Sequence, residues 1–360
     1  MNLIRVFVSC CCLATMTLVC HGQKFRDISK LKTQYLKRDV SQYEEEYKIP
    51  FKKIEVVDLR FDTSKIGYAT YREPDNHTKF VAPGGLQNFL NKRLNEYFKN
   101  NLDPSSSQTL LIVVKKLWLE YESTNRTLKY NSTSDETQSI HPDYGSKSAS
   151  RNTVCLADID AFCTADSSYQ AVARLTQDFK IDRANDYSDC NLLLMPFDAL
   201  VTKIHSLDVA ATVASRKKFS RDEIILNYRK RFDIPVLLAD SLNRGIYLSF
   251  DDFKKNKPAY ANFKFKTFEI STEVTIEQDG KEVPITEYWG FTDGKQLYVK
   301  PGFLPFRVLR QGNTFDFLGC IGGRNVKVYI PTTTPINIPV STTYMYVFPM
   351  QVDMETGKFY

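Results

Sequence analysis

The chain is poor in histidine, tryptophan and glycine, and most of what it lacks is catalytic equipment. Of 360 residues only four are His, two are Trp and 15 are Gly. Beyond residue 22 the histidines are His77, His141 and His205, widely separated, with no HExxH and no two at helical spacing, so no metal site is expected. There is no GxSxG elbow, no GxxxxGK[ST] and no strand-borne GxGxxG, which disfavours elbow hydrolases and nucleotide enzymes and leaves no cofactor site to name. No apolar run after residue 22 reaches the length of about 18 residues that a membrane helix needs. Forty-eight Lys and Arg against 42 Asp and Glu give a net charge of +6, far from the basic excess of a dedicated nucleic-acid binder.

Cysteine is equally sparing. Cys10, Cys11, Cys12 and Cys20 lie in the first 22 residues, leaving Cys155, Cys163, Cys190 and Cys320 with no CxxC among them. On one straight strand Cys155 and Cys163 would sit about 26 Å apart at about 3.3 Å per residue, too far to bond. Buried free thiols are the plain expectation; a single bridge through Cys190 stays open, because an exported chain meets oxidants.

What is present describes a folding chain, 42% hydrophobic and 25% charged. Residues 1–22 read as a signal peptide: Arg5, an apolar tract over 6–19, then Cys20-His21-Gly22 as a peptidase site, with Gln23 as the new N-terminus. Lipidation at Cys20 is the competing reading, weakened by the bulk of Val19. The expected location is therefore exported: periplasmic, outer-membrane-associated or secreted, with no span once the signal is removed.

Residues 23–50 form a charged, Tyr-rich lead-in. A mixed α/β layer domain is expected over 51–215 and a β-rich antiparallel meander domain over 216–360, α+β overall. In the first, Val57, Leu59 and Phe61 alternate with Asp58 and Arg60 as in a half-buried strand. Leu86, Phe89, Leu90, Leu94, Tyr97 and Phe98 mark one face of a helix. Residues 109–119 read as a central strand covered on both faces, and 122–151 as a long polar loop. Cys155, Ala157, Ile159 and Ala161 share a strand face small enough for close helix packing, and a helix begins at Pro196 with Phe197, Leu200, Val201 and Ile204 inward. A third helix over 220–232 opens on the capping box Ser220 to Glu223, with Ile224, Ile225, Tyr228 and Phe232 inward. After it come hairpin turns at Asp279-Gly280, Asp293-Gly294, Gln311-Gly312-Asn313 and 322–325. Apolar parity switches between Phe265 and Phe268, which reads as a bulge or bend near Thr267.

Few residues stand out as sites, and none as catalytic. Asp158 with Asp160 share a strand face and read as solvated; Asp251-Asp252 read as a turn or helix start. Trp118 belongs to the buried strand, whereas Trp289, beside Tyr288 near a hairpin, is the aromatic expected to be exposed and able to stack a sugar. Arg216, Lys217, Lys218, Arg221, Arg229, Lys230 and Arg231 form a basic cluster suited to anionic lipid or polyanionic glycan; on a solvated helix, Arg229 and Lys230 would simply offset the C-terminal dipole. The sequons at Asn76, Asn125 and Asn131 read as polar loops.

Four segments, residues 60–68, 245–253, 288–295 and 353–358, resemble a recurring type of uncharacterised exported protein from Bacteroidota. That resemblance implies a signal-bearing protein without an assigned activity and lends no site residues. The strand-helix-strand-strand-helix order of 53–206 is similar to small envelope domains of the TolB N-terminal and PqiC kind. The expected function is a non-catalytic envelope or secreted binding or structural protein, its partner an envelope protein or a glycan and not nucleic acid. The alternatives are a glycan-binding or glycan-active protein using exposed aromatics and acidic pairs, and a peripheral membrane-surface protein using the basic cluster of 216–231.

Overall fold

The computed structural model describes residues 28–36, 43, 45, 47–70, 77–122, 152–165, 167–182, 189–268, 272–302, 304–319, 323–330, 338–345 and 348–360. The expected signal peptide, the loop over 123–151 with His141, the three sequon asparagines and Cys320 lie outside them, as does the side chain of Cys190. The described chain forms two compact units, Lys32–Asp233, and Ile234–Tyr360 together with the short 3-10 turn Ile28–Lys30.

The first unit is a mixed sheet with helices on it. Its strands are β1 (Lys32–Tyr35), β2 (Lys53–Asp58), β3 (Gly67–Thr70), β4 (His77–Val81), β5 (Thr109–Glu122), β6 (Asn152–Ala165), β7 (Ser168–Asp182) and β8 (Lys218–Phe219). They run in the order β1-β4-β3-β5-β6-β7-β8, with β2 parallel to the first half of β5 and β5 through β8 antiparallel. β3 meets β5 only at Gly67 opposite Leu119. There a Cβ on Gly67 would lie 2.1 Å from the Leu119 carbonyl oxygen, at a φ of 148°, so only glycine lets the chains meet.

The β-branched run of β5 is buried on both faces, as its composition requires. Leu110, Ile112, Val114, Leu117 and Leu119 join Cys155, Ala157, Ile159, Ala161 and Cys163 of β6 in one core. Helices α1 (Leu86–Tyr97) and α2 (Asp189–His205) complete it with Leu90, Leu94, Phe98, Phe197, Leu200, Val201 and Ile204. Cys155 and Cys163 are buried free thiols within it, and burial pushes both thiols up. α2 does not begin at Pro196. It begins at Asp189 and carries the proline inside, because Leu192, Leu193 and Leu194 extend the same apolar stripe upstream and their burial holds the helix through the missing N–H.

α1 does more than cover the sheet. Gln87, Asn91 and Asn95, four residues apart, reach the outer edge of β2. Asn95 accepts from Ile54 N (3.0 Å) and donates to Ile54 O (2.7 Å), while Asn91 accepts from Val56 N (2.8 Å) and donates to Val56 O (3.2 Å). Gln87 accepts from Asp58 N (3.1 Å). Side-chain amides thus stand in for a neighbouring strand and satisfy an edge that would otherwise invite another chain.

On the opposite face Leu111, Val113, Val57, Leu59 and Phe162 form a smaller core. Its cover is α4 (Arg221–Arg229), which follows the one-and-a-half-turn α3 (Val209–Ala214) and β8. Ser220 and Glu223 form the expected capping box. Ile224, Ile225 and Tyr228 pack inward, so this helix, expected with the second half, belongs to the first unit.

The second unit is antiparallel. After α5 (Pro235–Leu238) come β9 (Gly245–Tyr247), α6 (Phe250–Lys254), β10 (Phe263–Thr267), β11 (Thr272–Gln278), β12 (Lys281–Pro284), β13 (Gly290–Thr292), β14 (Leu297–Val299), β15 (Phe306–Gln311), β16 (Thr314–Gly319), β17 (Gly323–Ile330), β18 (Ile338–Met345) and β19 (Phe348–Gln351). Their sheets run β9-β13-β14-β15-β16-β19, β10-β11-β12 and β17-β18. Asp279-Gly280, Asp293-Gly294 and Gly312 turn the chain as expected, while residues 323–325 continue β17 instead of turning. The parity switch near Thr267 is no bulge. β10 ends there and β11 returns against it, Phe263 opposite Ile276 and Phe265 opposite Val274, so the two parities belong to two strands.

Asn95→Leu should leave the Ile54 amide and carbonyl unpaired and cost about 1–3 kcal/mol in urea unfolding, whereas Lys92→Ala on the exposed side should stay within about 0.5 kcal/mol of the parent. Equal midpoints for Asn95→Leu and the parent would contradict the edge role.

Candidate functional site

The described residues hold three clusters of reactive or aromatic side chains. The first lies on the second face of the first unit's sheet, under α4. β5 shifts register between Val114 and Lys116, and Lys115 at that irregularity is turned toward β6. Its Nζ lies 2.7 Å from Asp158 Oδ1 and 3.0 Å from Asp160 Oδ2, with the lysine side chain only 4% exposed. Thr176 Oγ1 donates to Asp158 Oδ1 (2.9 Å), and the Tyr228 hydroxyl of α4 donates to Asp160 Oδ2. Burial, then the bond to Asp160, raises that hydroxyl's pKa. Arg174 Nε stands 3.7 and 3.4 Å from the two carboxylates, but its side chain is 67% exposed and screened. Asp158 and Asp160 are therefore not a solvated strand face: the lysine beneath and the helix above remove them from water.

The neighbouring loop repeats the pattern. Arg60 grips Asp58 with Nε (2.8 Å) and a terminal nitrogen (2.9 Å), and donates to the carbonyls of Lys65 (2.8 Å) and Leu117 (3.3 Å). Lys65 pairs with Asp62. Asp58 and Arg60, read as the polar side of a half-buried strand, are buried against each other because the strand ends there and its last charges turn into the loop. Every charge in these two groups has an opposite charge within ion-pair distance, which ties loop and strands together, and the Tyr228 hydroxyl joins α4 to them.

The second cluster sits where the Tyr-rich lead-in crosses α2. The hydroxyls of Tyr43 and Tyr47 lie 3.0 Å from each other and 3.0 Å from Thr202 Oγ1, and Tyr47 stacks on His205 at 4.0 Å. One turn earlier Tyr97 donates to Asp198 Oδ2 (3.2 Å), while Asp198 Oδ1 is buried with no hydrogen-bond partner among the described residues. Burial pushes the Asp198 carboxyl up to about 7, against the opposing hydrogen bond from Tyr97. Neither Lys115 nor Asp198 was singled out from sequence. Lys115-Lys116 breaking an apolar run, and Asp198, Thr202 and His205 at helical spacing, were the available signals.

The third cluster, in the second unit, gathers around Trp289. Its ring stacks on Phe253 at 4.5 Å and on Phe359 at 6.1 Å and packs against Phe250 at 5.5 Å; its backbone N donates to Tyr247 O (3.0 Å). Segments 245–253 and 288–295, and the residue after 353–358, thus meet in one aromatic cluster. Trp289 is half-buried, and a face committed to Phe253 is not offered to a sugar. Tyr288 packs on Phe291 with Lys300 Nζ 5.1 Å from its ring, and burial pushes its hydroxyl up to about 12. Asp251 and Asp252 start α6 as expected, Asp252 in a capping box with Ser249.

Arg229 and Lys230 lie at the exposed end of α4, Lys230 Nζ 3.4 Å from Asn227 Oδ1. Arg231 is drawn in, donating to Leu59 O (3.3 Å) and lying over the Phe61 ring. Leu226 on the same helix is 61% exposed. Among the described residues no group of three or more His, Cys, Asp or Glu could hold a metal, and no helix is long and apolar enough to cross a membrane.

No protein-family model matches the sequence, and no curated protein matches it. Among solved structures the chain is similar to protein XCC0632 from Xanthomonas campestris, of family DUF330, at 12% identity and a TM-score of 0.25, covering 51% of this chain and 95% of that one.

Lys115→Met should leave two facing carboxylates without their cation and cost about 3–5 kcal/mol at pH 7, part of it recovered by adding Asp158→Asn and Asp160→Asn. Urea unfolding of the single and triple variants checks this; a single variant as stable as the parent would contradict it. For Asp198, whose acid form is favoured by folding, stability is full below its ordinary pKa of 3.8 and declines as pH rises toward 7. Asp198→Asn should therefore stabilise the chain at pH 8 and lose that advantage below about pH 4. An advantage that grew with acidity would reverse the sign.

Proposed function

We propose that the chain is an exported, non-catalytic binding module of the cell envelope, and that its contact surface is the outer face of α4 with the basic residues before it. The observation that carries this is Leu226, 61% exposed, with Arg229 and Lys230 three and four residues on along the same helix. The inner side of α4 is held by Ile224 and Tyr228, so the outer side is presented on a fixed support. Over residues 216–230 the exposed Arg216, Lys217, Lys218, Arg221, Arg229 and Lys230 outnumber the exposed Asp222 and Glu223, which makes the segment basic. A partner with an acidic rim around an apolar socket fits it.

The same basic residues support a second reading, peripheral contact with anionic lipid. A photocrosslinker placed at position 226 in native envelopes should give a discrete protein adduct that disappears with Arg229→Glu and Lys230→Glu, the fold remaining unchanged by circular dichroism. Adduct formation indifferent to the charge reversals would end the proposal. Salt-sensitive pelleting with anionic vesicles, without a protein adduct, would replace it by the lipid reading.

A further inference from the structure

β7 pairs with β6 along its whole length, whereas on its other side β8 covers only Tyr169 and Gln170. Gln170 Nε2 closes that end, donating to the carbonyls of Val213 (2.8 Å) and Arg216 (2.9 Å). Beyond Gln170 no strand among the described residues lies on this outer edge. The carbonyl of Arg174 accepts from Lys203 Nζ of α2 (2.8 Å) and so points away from β6. Strand alternation turns the backbone groups of Thr176 and Asp178 the same way. Arg174, Thr176 and Asp178 share one face of the sheet and all three are exposed, while Leu175 and Phe179 on the other face are committed to the core.

An edge of this length is a template for another strand, and its side chains decide which strand fits. Lys203 guards it, since any strand added here competes with the bond from Lys203 to the Arg174 carbonyl. A second copy of the chain supplies a competing N–H and adds charge complementarity. Laid antiparallel about a two-fold axis through Thr176, it sets Arg174 opposite Asp178, Thr176 opposite Thr176 and Asp178 opposite Arg174, each pair exchanging both backbone bonds. Opposite charges and facing threonines both stabilise such pairs. Neighbouring registers lose this. An axis through residue 174 sets Arg174 against itself, one through 175 sets it against Thr176, one through 177 sets it against Lys180, and one through 178 sets Asp178 against itself. The edge is therefore self-complementary in charge in one register.

We infer that the chain forms a two-fold dimer by pairing the outer edge of β7 with that of a second copy, with Thr176 on the axis and Arg174 facing Asp178 on either side of it. The outer face of α4 takes no part in this contact, so dimerisation and crosslinking at position 226 succeed or fail separately. Sedimentation velocity of the full chain from about 5 to about 300 µM tests it, since a contact limited to a short edge gives a weak dimer. Asp178→Arg and Arg174→Asp should each weaken the dimer about tenfold or more, because each sets like charges across the axis. Mixing the two variants should restore association, each chain supplying the charge that the other lost. Circular dichroism confirms that the variants are folded. Should Arg174→Asp not fold beside Asp158 and Asp160, Thr176→Cys carries the test: mild oxidation should link it into a dimer that Lys92→Cys on α1 does not form. A monomer throughout the concentration range, a dimer unchanged by Asp178→Arg, or no link through Thr176→Cys overturns the inference.

Discussion

The first unit depends on closing the second face of a sheet whose central strand is apolar on both sides. α2 and α1 seal one face with a long apolar core, but the other offers only Leu111, Val113 and a few neighbours before it turns polar at Lys115. Burying Ile224 there contributes about 1.5–3 kcal/mol, too little by itself to hold a nine-residue helix against its ordering entropy. The polar contact supplies direction. Lys115 pairs with both carboxylates within the sheet, and the Tyr228 hydroxyl of α4 reaches Asp160, so α4 docked in this position gives that carboxylate a further donor. Such an array adds little net stability over an apolar core, but a shifted α4 would leave the buried Asp160 without the Tyr228 donor.

Elements governed by periodicity were legible in the sequence. The stripe of Leu86, Leu90, Leu94 and Phe98, the two-faced burial of residues 109–119 and the small face of Cys155 to Ala161 follow from repeat lengths alone. The capping box at Ser220 and the Asp-Gly turns were legible for a related reason, since their chemistry is local. Long-range pairing was not. Nothing local says that Asn91 and Asn95 bond a strand some 40 residues earlier in the chain, that Asp160 meets a tyrosine 68 residues later, or that Phe265 and Phe268 lie either side of a strand's end. Pro196 misled because a favoured first helical position and a tolerated interior one look alike until the upstream leucines are known to be buried.

The candidate sites sort by the same distinction. Acidic pairs and a lone Trp are weak signals because their meaning depends on what the fold brings to them. Lys115 and Tyr228 come to Asp158 and Asp160 and turn them into a clamp; Phe253 comes to Trp289 and occupies its face. The outer side of α4 remains, with Leu226 exposed beside Arg229 and Lys230, and it fits the binding module proposed.

Native-state hydrogen exchange of the α4 amides tests most directly whether the clamp holds this helix as part of the sheet. With the clamp acting as described, the amides of Ile224 to Tyr228 should open only with β5, β6 and β7, at the free energy of global unfolding and with the same denaturant dependence. Exchange of α4 through a separate, low-energy opening would contradict it, since the helix would then be a loose cover and the lysine and carboxylates beneath it an intermittently accessible site.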